Sequence, residues 1–442
     1  MLTTAQVMAK YLAHARIEYI FGYPGDPNLE FMEAARKEDI RFILARREGT
    51  AAFMADAYGQ LTGLPGVCMS TLGPGSTNLV NGVACAFLDR TPMLAISGQM
   101  HTRLEPTFTH QNIDHVRLFA PVVKWATRMV PEAAGSIMRK AIRLTTAERP
   151  GPVHITTPIN VGAAEAADSE IRLPPLHPHR EWTEVFSTND AGLAPVALIE
   201  QARRPIIVAG MATKRAGAGQ ALRAFVERTG TPVVVSPKAK GILPEGHPYY
   251  AGTLDMACNQ LMWEFLGSGD LILAVGFDPM ELIKSWSLRI PVVHIDATPN
   301  VDQVYPAELE LVGSISAILQ SLTDSCPGGT KWRESEIQTH RDALFQAYLQ
   351  LAASLALGIV VIVFCDNTLH RIEVKQLRKH YPPVGTRFAP TDLVKLAQSM
   401  DCYGEHVEDK ASLEAVLARA NTLDRPLVIE ARIDPSQYEA QF

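Results

Sequence analysis

The chain has 442 residues, a formal net charge of -6, 47% hydrophobic residues and 20% charged residues. That length divides into roughly three domains of about 150 residues, each able to bury its own core, and the balance is globular rather than disordered or fibrous. The acidic excess excludes a protein that works by neutralising nucleic-acid phosphates, so small molecules or other proteins are the expected partners.

In chain order, Thr3-Thr4-Ala5-Gln6 reads as a capping box opening an amphipathic helix, not as the charged and then apolar start of a secretory signal. Buried-strand patterns follow at Tyr19-Ile20-Phe21, Phe42-Ile43-Leu44, Val67-Cys68-Met69, Met93-Leu94-Ala95-Ile96 and Val153-His154-Ile155, alternating with helical stretches. Such alternation predicts a parallel sheet covered by helices on both faces. Residues 161–190, with Pro174-Pro175 and Pro178, read as a linker. A second block repeats the pattern at Pro205-Ile206-Ile207-Val208, Val233-Val234-Val235, Leu271 to Val275 and Val292-Val293-His294-Ile295, and residues 322–345 read as a second linker. The apolar run from Tyr348 to Cys365 approaches the ~18 residues of a membrane helix, but its simpler reading is a helix to Leu357, Gly358 at the helix end, and a strand over Ile359 to Phe364. A last strand is expected at Leu427-Val428-Ile429-Glu430. No membrane association is expected. The six cysteines are scattered without a CxxC pair, which suggests neither a zinc site nor a disulfide framework and fits the cytoplasm.

Four short motifs carry candidate chemistry. Phe21-Gly22-Tyr23-Pro24-Gly25-Asp26 is a strand-to-turn junction, Arg46-Arg47-Glu48 places a carboxylate at the start of an Ala-rich helix, Thr71-Leu72-Gly73-Pro74-Gly75-Ser76-Thr77-Asn78 is a Gly-rich turn, and Ser97-Gly98-Gln99 precedes His110-Gln111. Each has an ordinary structural explanation: turn geometry, or a helix-dipole contribution of about 0.3–1 kcal/mol for Glu48. The Gly-rich turn lacks the Gly-Lys-Ser/Thr ending of a phosphate loop, and Pro74 removes a backbone donor.

Together, in this order, the four motifs resemble the pyrimidine-binding domain of thiamine-diphosphate-dependent enzymes of the acetolactate synthase and pyruvate decarboxylase type. The segments Asp270 to Asp278 and His294 to Pro299 are similar to the central domain of that family, which in some members holds FAD or ADP; no full GxGxxG is present. Val363-Phe364-Cys365-Asp366-Asn367-Thr368 resembles the strand and loop that give a metal ligand in the diphosphate domain. The resemblance implies an α/β chain of three Rossmann-like domains with parallel sheets flanked by helices, the third incomplete, over residues 1–165, 190–322 and 345–442. It implies a decarboxylase or carboligase, lyase or transferase, acting on a 2-oxo acid such as pyruvate with thiamine diphosphate and Mg2+, and working as a homodimer, a homotetramer or a mixed oligomer with an intact homologue. By that resemblance Glu48 hydrogen-bonds the aminopyrimidine ring, Gly25, Pro74 and Asn78 line its pocket, Asp26, His110 and Gln111 lie near the substrate, and Asp366 and Thr368 bind the metal. Pro-Gly-Asp at Asp26 is similar to the decarboxylase branch and His110-Gln111 to the Phe-Gln of the acetolactate synthase branch, so the acceptor stays open.

One departure matters. The Gly-Asp-Gly motif whose aspartate binds magnesium in the family occurs nowhere in this chain, and the strands expected before it are missing as well. The reading is therefore of an enzyme impaired as a lone chain, with a cofactor-free scaffold or regulatory relative as the alternative.

Overall fold

The computed structural model describes residues 1–171, 185–187, 195–255, 258–329, 331–365, 392–420 and 422–433. The capping box forms as the sequence predicts: Thr3 Oγ1 accepts from the Gln6 amide at 3.3 Å and Gln6 Oε1 accepts from the Thr3 amide at 2.9 Å, opening the helix Thr4–His14.

The first sheet contains β1 (Tyr19–Gly22), β2 (Arg41–Leu44), β3 (Gly66–Ser70), β4 (Met93–Gln99), β5 (Trp125–Arg128) and β6 (Pro152–Pro158). All pair in parallel in the order β2-β1-β3-β4-β6-β5. Every residue of β3, β4 and β6 is buried, which is why they read as unbroken apolar or small-residue runs. The second sheet contains β7 (Val185–Ser187), β8 (Pro205–Ala209), β9 (Val233–Val235), β10 (Tyr250–Thr253), β11 (Leu271–Val275), β12 (Val292–Asp296) and β13 (Leu309–Gly313). Its order is β10-β9-β8-β11-β12-β13-β7, parallel except for β7, which runs antiparallel to β13. The third contains β14 (Val360–Cys365), β15 (Tyr403–Val407) and β16 (Leu427–Arg432), with β16 in the middle and both pairings parallel. The chain is thus an α/β protein with three sheets flanked by helices, the last of three strands among the described residues. No helix among those residues is long and apolar enough to cross a membrane.

Three expectations need correction. The stretch 161–190 is not all linker: Val161 and Ala166 are buried in the first domain's core, and Val185–Ser187 is the edge strand β7 of the second sheet. The stretch 322–345 is no solvent-washed linker: it continues from the helix Ile315–Ser325 into the helix Glu334–Ser354, and Trp332, Ile337 and Leu344 are buried in the core of the second sheet. Lys331 Nζ also caps carbonyls of Ile199, Glu200 and Ala202. The sequence misleads because a helix packed along one narrow row needs few apolar residues, and the remainder stay polar. At the other end of this helix, Gly358 is not the residue that closes it; the helix stops at Ser354, and Ala356 takes the left-handed conformation with φ 51°.

The first two sheets are tied together by charge. Asp278, after β11, meets Arg90 Nε at 3.1 Å and Arg149 Nε at 3.6 Å, while Lys238 pairs with Asp89 and Arg215 with Glu148.

If the helix Glu334–Ser354 is core rather than linker, Leu344→Ala should cost about 2–5 kcal/mol in urea unfolding, the range for a buried Leu, whereas Phe345→Ala on its exposed side should change stability by less than about 0.5–1 kcal/mol.

Candidate active site

The C-terminal ends of β1, β2 and β3 bring three loops together. Gly25 stands so close to Thr71 that a Cβ there would lie 2.1 Å from Thr71 Oγ1, and its amide donates to Asn28 Oδ1 at 3.2 Å. Asn28 is buried and donates from Nδ2 to the carbonyl of Ser70 at 3.2 Å, pinning the β1 loop to the end of β3. Only glycine permits this approach at position 25.

Glu48 begins the helix Glu48–Thr62 and is 8% exposed. Pro74 begins the helix Pro74–Leu88 as its first residue, where the missing N–H costs nothing. The two helices lie side by side, Gly82 against Ala52, and their starts converge: Asn78 Nδ2 donates to Glu48 Oε2 at 3.2 Å, and a Cβ on Gly75 would stand 3.0 Å from Glu48 Oε1. A carboxylate between two helix starts is favoured by their positive ends. Among the described residues it forms no ion pair with a cation, and its side-chain donor is Asn78.

The other predicted residues are placed as follows. Asp26, Pro74 and Asn78 are exposed at the rim of the same crevice, and Asp26 opens a short 3-10 turn, Asp26–Asn28. His110 and Gln111 are exposed on the loop after β4; Gln111 has φ 55°, and its carbonyl would lie 2.6 Å from a Cβ on Gly73, itself at φ 56°. The structure therefore brings Gly25, Glu48, Pro74, Asn78 and the Gln111 backbone around one loop cluster. Asp366 and Thr368 lie outside the described residues.

Sequence reasoning missed the layer beneath. His115, 1% exposed, accepts at Nε2 from the Gly73 amide at 3.2 Å, which leaves the proton on Nδ1. His154 lies 2.8 Å from Ser97 Oγ through Nε2 and stacks on Phe119 at 3.8 Å. From Ser97 a hydroxyl chain runs through Ser70 at 3.5 Å and Ser76 at 3.4 Å to the Thr71 carbonyl at 2.9 Å. These groups fix the Gly-rich turn from below. The only sequence signal is a serine in each of two neighbouring strands, since the pairings that join Ser70 to Ser97, Gly73 to His115 and Ser97 to His154 span 27, 42 and 57 residues. Beside them, Gln99, Arg128, His115 and Thr156 line a cavity of about 390 Å3.

Burial pushes His115 down to about 4 and His154 well below its usual value. Unfolded, both take up a proton near pH 6.5; folded, they resist it. The stability they allow is thus present above about pH 6.5 and lost as pH falls toward 4, by up to about 1.4 kcal/mol per pH unit for each histidine. Urea midpoints should be lower at pH 5 than at pH 7.5, and His115→Gln, whose carbonyl can still accept from Gly73, should flatten that slope.

Comparison with known proteins follows the same division. Residues 2–118 match the N-terminal TPP binding domain of thiamine pyrophosphate enzymes, 194–322 the central domain and 346–431 the C-terminal TPP binding domain. A probable acetolactate synthase large subunit of Methanococcus aeolicus is 33% identical over 72% of this chain and 54% of its own length. A probable 2-ketoarginine decarboxylase of Pseudomonas aeruginosa is 31% identical over 90% of this chain and 68% of its own. An acetolactate synthase of Bacillus subtilis is 29% identical over 98% of this chain and 93% of its own. The chain spans about half the length of the two archaeal acetolactate synthase subunits it matches. The Bacillus alignment runs over 543 positions against 442 residues, so on the order of a hundred of them face a gap in this chain. Three domain matches in family order, on the three sheets already described, lead to one conclusion: the chain belongs to the thiamine pyrophosphate enzyme family.

Proposed function

We propose that this chain supplies the pyrimidine-binding, proton-handling half of a thiamine-diphosphate site for decarboxylation or carboligation of a 2-oxo acid such as pyruvate, and that the chain alone is impaired. The observation that carries the reading is Glu48: a buried carboxylate at a helix start among the convergent loops, with one neutral side-chain donor and no cation paired to it among the described residues. That chemistry suits an aminopyrimidine ring, because a partly desolvated carboxylate can share a proton with a ring nitrogen too weakly basic to hold it alone. When bound, thiamine diphosphate supplies a thiazolium that accepts the electrons released as carbon dioxide leaves a 2-oxo acid.

The chain's own residues take defined parts. Glu48 holds the proton at its free carboxylate oxygen. Gly25, Pro74 and Asn78 line the ring's pocket, and the His115–Gly73 bond keeps the turn in place. Asp26 is the proton relay at the rim, and His110 and Gln111 contact the substrate. The metal side is the weak one: magnesium requires near-octahedral oxygen ligands, and with no Gly-Asp-Gly in the sequence, Asp366 and Thr368 offer too few. In the family resembled, the two halves of a site come from two subunits, so an intact homologue in a mixed oligomer can complete the site around Glu48. The cytoplasm, where 2-oxo acids and magnesium are both abundant, is the proposed location.

Calorimetric titration of the purified chain with magnesium and thiamine diphosphate should show no tight binding, and pyruvate should not be turned over. Mixing with an intact homologue that carries Gln at its own pyrimidine-domain glutamate should restore turnover. Glu48→Gln in this chain should abolish the rescue while changing folding stability by only about 0.3–1 kcal/mol. Tight binding and turnover by the chain alone would overturn the impairment, and a confirmed mixed oligomer without activity would leave a cofactor-free scaffold or regulatory role.

A further inference from the structure

In an open parallel sheet, ligands bind at the C-terminal crevice where the strand order reverses. In the second sheet that point lies between β8 and β11, since β9 and β10 extend to one side of β8 while β12 and β13 extend beyond β11. A nucleotide diphosphate entering there would need the loop after β8, the loop after β9 and the loop after β11 to offer donors to its phosphates.

Those donors are already taken by the protein itself. Glu281, 5% exposed, accepts from the Met211 amide with both oxygens, at 3.0 and 2.9 Å, and from the Asp278 amide at 2.9 Å, and Ser236 Oγ donates to its second oxygen. Three loops thus converge on one internal carboxylate. They also leave no room for a second anion: a Cβ on Gly210 would lie 2.4 Å from the Gly276 carbonyl and 2.5 Å from Glu281 Oε1. Burial pushes the Glu281 carboxyl up to about 7, and the surrounding donors oppose that rise.

A second, independent observation closes the mouth of the crevice. Asp278, whose amide is bound by Glu281, directs its own carboxylate at Arg90 and Arg149 of the first domain. Arg149 also pairs with Asp302 and donates from Nε to Thr298 Oγ1 at 3.3 Å, beyond the end of β12. Asp296, 3% exposed at the end of β12, adds a further acid that a phosphate would have to approach.

We infer that Glu281 is an internal substitute for a ligand phosphate, and that the central domain's nucleotide crevice has become a fixed joint with the first domain, closed to both ADP and FAD. The inference stands apart from the reading of the Glu48 site, because no residue is shared between them.

The test titrates the full chain with ADP and with FAD, by calorimetry and by flavin fluorescence, for the wild type, Glu281→Gln and Glu281→Ala. The wild type and Glu281→Gln, which keeps the side-chain volume, should bind neither nucleotide below about 1 mM. Glu281→Ala should bind ADP at least about tenfold more tightly than the wild type. Wild-type binding of either nucleotide in the micromolar range, or a folded Glu281→Ala no tighter than wild type, would overturn the inference. Should the alanine variant fail to fold, amide exchange on the wild type decides: Met211 and Asp278 should be slow to exchange and unchanged by saturating ADP, and fast exchange at both or added protection by ADP would sink the idea.

Discussion

The contact between Gly75 and Glu48 sets the terms for the first domain. A carboxylate removed from water costs several kcal/mol unless donors or opposite charge replace its hydration, and here no described cation does so. Two helix starts and the Asn78 amide must serve, each contributing about 1–2 kcal/mol at most. For both starts to reach the same oxygen pair, the helices Glu48–Thr62 and Pro74–Leu88 must approach with almost nothing between them, hence Gly82 against Ala52 and Gly75 against Glu48. The Gly-rich turn must then be held rigidly, which the His115 bond and the buried serine chain do. The structure around Glu48 thus goes into holding two helix starts against one carboxylate.

Most of the fold was legible because the inner strands of a parallel sheet are buried on both faces and so are written as apolar runs: Val233-Val234-Val235 and Leu271 to Val275 leave little choice. The strands that escaped at sheet edges are β5, β7, β10 and β15: partly buried sequences such as Trp-Ala-Thr-Arg or Tyr-Gly-Glu-His-Val suffice there, and β10, though buried, is a four-residue Tyr-Ala-Gly-Thr with no apolar run. β13 escaped for a related reason, since its residues alternate between buried and partly buried and its outer neighbour is the short β7. That Glu48 starts a helix was legible from a local pattern, a carboxylate ahead of an Ala-rich helix, while its candidacy as a site residue came only from the four motifs taken in order. His115 was not legible, because nothing near it in sequence shows that Gly73 lies 3.2 Å away. The joint at Glu281 was equally hidden: its partners come from positions 211, 236 and 278, and only the topology brings them together.

Both domain-level devices use carboxylates in place of something larger. In the roles proposed for them, the Glu48 carboxylate meets a ligand, while the Glu281 carboxylate takes a ligand's place. The difference lies in donor count. Glu48 receives one neutral hydrogen bond in the structure and keeps its remaining lone pairs unspent, whereas Glu281 receives four contacts from three loops and has none aimed outward.

The third sheet shows what the missing hundred or so positions leave behind. β14 reads Val-Val-Ile-Val-Phe-Cys, a composition suited to the middle of a parallel sheet, yet among the described residues it stands at the edge, with Phe364 65% exposed. β16, by contrast, sits between two neighbours and is buried along nearly its whole length. A central-type strand at an edge presents unpaired backbone groups next to apolar side chains, the combination that natural sheets avoid with charge, proline or a covering element. The mismatch locates the loss on the β14 side of this sheet, away from β15. It also makes stability uneven along the chain: the first two sheets are joined by buried charge and share deep cores, while the third rests on two small clusters around Val428 and Ile429. Elements with few buried apolar contacts open first. The part of the chain that carries Glu48 is therefore also the part that holds its shape, whereas among the described residues the third sheet keeps β14 at its edge.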